Sequence, residues 1–180
     1  MAGYSEVINV MGAMIIFSMI LLNANSLIIR NTLVQVEGEL EQEVIALGQE
    51  IIEEALSKSF DEVTYNAAAP PSLIPEGFTH PDQLGPDAGE YNRSNFNDFD
   101  DYHGYESTFV TEHGEFEISV EVFYVEEEED LSEGEITFVD SNSQTTYKKI
   151  EVTVTNEFLT RSDGEPVIYK LEFVRNYYAD

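Results

Sequence analysis

Residues 7–29 read VINVMGAMIIFSMILLNANSLII, 23 consecutive positions without a charge, held between Glu6 and Arg30. As a helix rising about 1.5 Å per residue the run spans about 34 Å, enough to cross the apolar core of a bilayer. No proline interrupts the chain over the next 27 residues, so the spacing predicts one unbroken helix continuing beyond Arg30. A secretory signal needs a basic leader, a short apolar core and a small-residue cleavage site. The leader here is MAGYSE, with an acid and no base, and the run passes through Asn23, Asn25 and Ser26. The reading is therefore a retained membrane segment. Arg30 follows the run, which on the positive-inside rule alone places the C-terminal side in the cytoplasm.

The run also contains Asn9, Gly12, Ala13 and Ser18. Small and polar residues let apolar helices approach closely and bond to one another, so this helix is expected to pack on copies or relatives of itself. Beyond Arg30 apolar residues fall at Leu33, Val36, Leu40, Val44, Leu47, Ile51 and Ala55. That is an 11-residue repeat, which keeps the stripe on one face of a nearly straight helix. The inner face of the protein's own sheet is its simplest partner. Glu37, Glu39, Glu41, Glu43, Glu50, Glu53 and Glu54 mark the wet face. Gly38 and Gly48 each weaken the helix by about 1 kcal/mol relative to alanine, and mark either close backbone contacts or soft points.

The helix is expected to end between Ser57 and Asp61. Residues 66–104 hold five of the six prolines and read as a long connection, pinned by Phe78, Tyr91, Phe96, Phe99, Tyr102 and Tyr105. Alternation then predicts strands over 115–126 (EFEISVEVFYVE), 135–139, 145–156 (TTYKKIEVTVTN) and 167–178. The acidic run from Glu126 to Gly134 reads as a turn, and so does RSDGEP. In the third strand Tyr147, Ile150, Val152 and Val154 define the inner face, with a change of register at Lys148–Lys149. In the last, Ile168, Tyr169, Leu171, Phe173 and Tyr177 are expected inward. The resulting organisation is α+β: a membrane helix (1–30), its amphipathic continuation (31–61), a long loop (62–107), and an antiparallel head (108–180) one face of which the helix covers, a ladle-shaped molecule.

Composition narrows the function. There are 36 acids and 8 Lys or Arg, for a net charge of −28. Glu6 and Arg30 offset one another, so residues 31–180 carry all of it. Nucleic acid and anionic lipid need a basic patch, and are excluded as partners of the head. With no cysteine, thiolate and disulfide chemistry are absent. Asp98-Phe99-Asp100-Asp101-Tyr102-His103-Gly104 is the most site-like patch, but its spacing is not that of an EF-hand loop, and it reads as a structural turn. His80, His103 and His113 form no zinc pattern. Neither a nucleophile elbow nor a phosphate-binding glycine loop is present. The expectation is a protein without cofactor or metal that is not an enzyme.

An apolar N-terminal helix with an acid near its start, running as an amphipathic helix into an antiparallel sheet, resembles the type IV pilins and pseudopilins. FDDYHGY, KKIEVTVTN and the closing VIYKLEFVRNYY resemble minor pilins of the mannose-sensitive haemagglutinin type. The resemblance implies a subunit held in the inner membrane and then extracted into an extracellular helical filament by pilus assembly machinery. It implies homo-oligomerisation through Val10, Ala13, Ile16, Phe17, Ile20 and Leu21. In that family the fifth residue of the mature chain is a glutamate that neutralises a neighbour's N-terminal amine. Glu6 takes that place if Met1 alone is removed. The family's leader, cut after glycine and before an aromatic residue, is matched only by Gly3-Tyr4, which would make Glu6 the third residue. The proline often found in the membrane half is missing. The resemblance also implies a head turned away from the cytoplasm, against the positive-inside reading. Two alternatives stand beside the filament subunit. One is a pseudopilin or single-pass component of a secretion or assembly machine; the other is a membrane-anchored binding module using the aromatic loop 91–105.

Overall fold

The computed structural model describes residues 2–65, 73–130, 135–161 and 163–179. Pro70 and Pro71 of the long connection, the tip of the acidic turn (131–134) and Ser162 lie outside the described residues. One helix, α1, runs from Ala2 to Leu56 without a break, ending just short of the expected 57–61. The chain divides into two units, residues 1–42 and 43–180.

The first unit is helix alone. From Gly3 to Glu37 every residue is exposed except Gly12, which is half-buried. Leu33 and Val36, expected on the sheet-facing stripe, are exposed with the rest. A helix apolar on all sides is stable only within lipid or among other helices. Its Ser18 hydroxyl donates to the Met14 carbonyl at 2.8 Å, so this polar group is satisfied inside its own helix.

The second unit packs the last turns of α1 on an antiparallel sheet of five strands: β1 (Glu106–Thr111), β2 (Gly114–Asp130), β3 (Glu135–Asp140), β4 (Tyr147–Thr160) and β5 (Pro166–Asn176). The order is β1-β2-β4-β5, with β3 on the far half of β2. Val44, Ile51, Ile52 and Ala55 of the helix are buried, as are Phe116, Ile118, Val120 and Val122 of β2 and Ile150, Val152 and Val154 of β4. Gly48 lets the helix backbone come close to β5: a Cβ there would lie 2.9 Å from Leu171 Cδ1. Nothing lies within 4 Å of a Cβ at Gly38, so only Gly48 marks a close contact.

Five points depart from the sequence reading. β1 begins at the end of the expected loop and runs into the head, where the alternation predicts no strand before 115, because its half-buried face offers only Ser107, Phe109 and Thr111. The acids Glu126–Asp130 are not a turn; they extend β2 and pair with Asp140–Glu135 of β3. Glu126, Glu127 and Glu128 are exposed on both faces of that ribbon, so charge there costs little. β4 keeps one register through Lys148–Lys149, pairing from Phe116↔Asn156 to Tyr124↔Lys148. Lys148 itself points inward and is fully buried. On β5, Ile168 is exposed while Tyr169 and Leu171 are half-buried; Ile168 alternates with them and so faces away from the helix. Tyr91 is exposed and pins nothing.

Candidate functional site

The chain presents two assemblies of interest, one in each unit. In the first, Glu6, Val10, Ala13, Phe17 and Ile20 fall along one side of α1 at about 100° per residue, with Ile16 and Leu21 flanking them. All seven are exposed. The structure thus brings the expected assembly residues together on one broad face. It also shows Val7, Ile8, Met14, Leu22 and Ile28 equally exposed, so contact is available around the whole helix. Among the described residues one helix is long and apolar enough to cross a membrane.

The second assembly lies in the head, where the end of α1, the long loop and β4 converge. Asp61 follows the helix and caps a single 3-10 turn (Glu62–Thr64), its side chain accepting from Val63 N–H. It also accepts from Thr79 N–H at 3.0 Å and the Thr79 hydroxyl at 3.3 Å. A second turn, Asp100–Tyr102, is tied by Asp98, whose Oδ1 accepts from the amides of Asp100 (2.9 Å) and Asp101 (3.2 Å). Asp101 Oδ2 returns the pattern by accepting from Asn97 N–H at 2.7 Å and Asp98 N–H at 3.1 Å. These reciprocal side-chain turns are what aspartate-rich loops favour, and they aim the acids inward rather than at solvent.

Lys148 enters from β4. Its Nζ donates to Asp61 Oδ2 at 2.7 Å, to the Phe60 carbonyl at 2.9 Å, and to Asp100 Oδ1. The Phe60 and Tyr124 rings stand 4.7 and 5.2 Å from it. Beside it on β5, the guanidinium of Arg175 lies 5.5 Å from the Phe99 ring and donates to the Lys58 carbonyl at 2.9 Å. Phe60, Phe78 and Tyr177 pack ring on ring at 5.1–5.4 Å above this group. The result is a water-excluded ionic cluster: Asp61, Asp98, Asp100, Asp101 and Lys148 are each 2 % exposed or less.

Burial shapes its protonation. Loss of water, then the adjacent charges of Asp100 and Asp101, push the Asp98 carboxyl up to about 9, so it is held protonated at neutral pH. Burial likewise raises Asp100, against the pull of Lys148, and raises Asp101 to about 6. The Tyr124 hydroxyl, donating to the Thr79 carbonyl at 2.8 Å, is raised by burial and by Asp61.

A smaller ionic group lies along α1. Arg93 binds Glu50 and Glu54, and the Tyr102 hydroxyl donates to Glu54 at 2.8 Å. Burial pushes Glu54 up, but the bonds from Arg93 and Tyr102 together with the guanidinium charge outweigh it and hold Glu54 below its ordinary value. Glu54 and Glu43 are therefore contact residues, not free members of a wet face; Glu43 meets His113 Nδ1 at 2.7 Å. His103 Nδ1 accepts from Val122 N–H, and His80 Nδ1 from Asp82 N–H. Among the described residues no three His, Asp or Glu side chains are placed to hold a metal ion. The cation among the buried acids is the chain's own Lys148.

Sequence reasoning found the DFDDY loop but missed its partners, Asp61, Lys148 and Arg175. The signal available was a pair of bases, Lys148 and Arg175, at inward positions of two neighbouring strands. No protein-family model, curated protein or solved structure matches the chain. The fold resembles that of a pilin, with a long apolar N-terminal helix whose end packs on an antiparallel sheet.

Proposed function

We propose that the chain is a structural subunit of an extracellular type IV pilus-like filament, held in the inner membrane before assembly and polymerising through the first half of α1. The observation that carries this reading is the helix itself: uncharged and predominantly apolar from Val7 to Ile29, and exposed along that length except at Gly12. Such a surface needs lipid first and other helices afterwards. Glu6 supports the second step. A carboxylate drawn from the headgroup region into a helical core costs several kcal/mol unless a cation meets it. In the pilins that the chain resembles, that cation is the amino terminus of an adjacent copy. Val10, Ala13, Ile16, Phe17, Ile20 and Leu21 then supply the packing face. The head, with its strongly acidic surface, coats the fibre, and the pilus assembly machinery drives extraction.

The test is electron microscopy of sheared extracellular material from producing cells, beside cells carrying Glu6→Ala or Glu6→Gln. The expected result is filaments containing this chain in the parent and none in either variant, with membrane levels of the protein unchanged. Protein confined to membranes, in defined complexes with other proteins and without fibres, would instead favour a pseudopilin-like component of a secretion or assembly machine.

A further inference from the structure

Lys148, Asp61, Asp98 and Asp100 are more than a structural ion pair requires. The ammonium and both of its carboxylate partners are buried, walled by Phe60 and Tyr124, and a fourth group, the Asp98 carboxyl, is hydrogen-bonded to Asp100. An amine held against a carboxyl group, with one carboxylate able to take a proton and one carboxylic acid able to give one, is the arrangement amide condensation needs. Water normally reverses that reaction, and here it is excluded. We propose that Lys148 and Asp100 condense spontaneously into an intramolecular isopeptide bond between Nζ and Cγ, with Asp61 as proton acceptor and Asp98 as proton donor.

The division of roles follows from the contacts. Asp61 accepts from the Val63 and Thr79 amides and the Thr79 hydroxyl; these bonds fix its side chain beside Nζ, from which Oδ2 accepts at 2.7 Å. Among the described residues no backbone amide donates to the Asp100 side chain, which touches both Nζ and Asp98, so it is the acyl partner. In the step, Nζ gives one proton to Asp61 while Asp98 protonates the Asp100 carboxylate. The freed lone pair adds to Asp100 Cγ. Collapse of the tetrahedral adduct expels the added hydroxyl, which leaves as water with the proton from Asp61, and the second Nζ proton returns to Asp98. An ammonium and a carboxylate become one amide and one water, with no change in net charge and both helper acids restored. Holding the reacting groups in contact replaces a bimolecular encounter, the largest entropic part of the barrier, and the two acids supply general acid–base assistance. The inference does not rest on the filament reading, because it concerns the folded head alone.

The experiment is mass spectrometry of the full chain purified in detergent, first intact and then after proteolysis. The expected result is an intact mass lower than the unlinked chain by one water, and a branched peptide joining the segments that contain Lys148 and Asp100. Recovery of both segments only as linear peptides overturns the proposal, and so does a branch from Lys148 to Asp61. The variant Asp61→Asn, which keeps the size of the side chain and most of its acceptor bonds, is expected to yield only the two linear peptides. Undiminished branching in that variant would overturn the role given to Asp61. The result in the parent chain stands whether or not the variant folds.

Discussion

Replacing Asp98 by asparagine should flatten the dependence of head stability on pH, although it removes an acid from an acidic protein. Asp98 is 2 % exposed, and its carboxyl is raised from 3.8 to about 9. Between those values the native state holds a proton that the unfolded chain has lost, so stability falls as pH rises. One proton is worth about 1.4 kcal/mol per pH unit. From pH 6 to pH 8 the loss from Asp98 is therefore about 3 kcal/mol, and Asp101, at about 6, adds to it only at the lower edge of that window. Asparagine at this position can still accept from the Asp100 and Asp101 amides and donate to Asp100, as the protonated acid does, but it cannot ionise. The assay is thermal unfolding of the full chain in detergent at several pH values, followed by near-UV circular dichroism of its ten tyrosines; there is no tryptophan. The parent should lose roughly 6–12 °C in Tm from pH 6 to pH 8, and Asp98→Asn most of that less. Because the readout is the slope, a constant change in stability, including loss of a Lys148–Asp100 link for which Asp98 is the proton donor, does not enter. Parallel profiles for the two proteins would show that Asp98 is ionised in the native state, and would refute this account of the cluster.

Lys148→Met should destabilise the head by about 3–5 kcal/mol, since it leaves Asp61 and Asp100 facing one another in a dry site; a loss under 1 kcal/mol in the same unfolding assay would mean that water enters there. The two helix glycines should respond in opposite directions. Gly48→Leu drives new atoms into Leu171 and should cost about 1–3 kcal/mol, whereas Gly38→Ala meets nothing and should raise helix stability in micelles by about 1 kcal/mol. Tyr102→Phe removes the hydroxyl that donates to Glu54 and should cost about 1–3 kcal/mol, with no loss if Arg93 alone suffices.

Much of this architecture is legible in the sequence because it follows from single physical rules. An uncharged run as long as 7–29 has few alternatives to a helix in apolar surroundings. Strict alternation over Phe116–Val122 leaves little doubt about a half-buried strand. The rules fail where an element lacks the pattern they look for. β1 presents one aromatic and two hydroxyl residues inward, so no apolar period announces it. The acids at 126–130 read as a turn because strands disfavour glutamate, yet a ribbon with both faces exposed meets no penalty for it. The stripe on α1 was legible as a stripe, but the sequence does not say where its cover ends: Val44 and Ile51 are buried, and Leu33 and Val36 are not.

Lys148 is the instructive failure. A lysine among alternating apolar residues reads as a break in register, because an inward charge is normally too costly to consider. The cost is removed by Asp61 and Asp100, which lie 87 and 48 residues away in the chain, and no local window contains them. A different count would have raised the question. Of only eight basic residues, Lys148 and Arg175 occupy directly facing positions on adjacent strands, both on the inward side and both buried. Like charges so placed repel one another, so the pair is tolerable only if acids lie above it. In a chain so short of bases, two placed side by side inside the head are not there for solubility. They require acids from another element, and the DFDDY loop, whose aspartates have no reason to be interspersed with Phe99 and Tyr102 if they are solvated, is the segment with the right composition to supply them. The cluster is therefore implied by taking two sequence anomalies together, buried bases and an aromatic acidic loop, each of which alone reads as unremarkable surface.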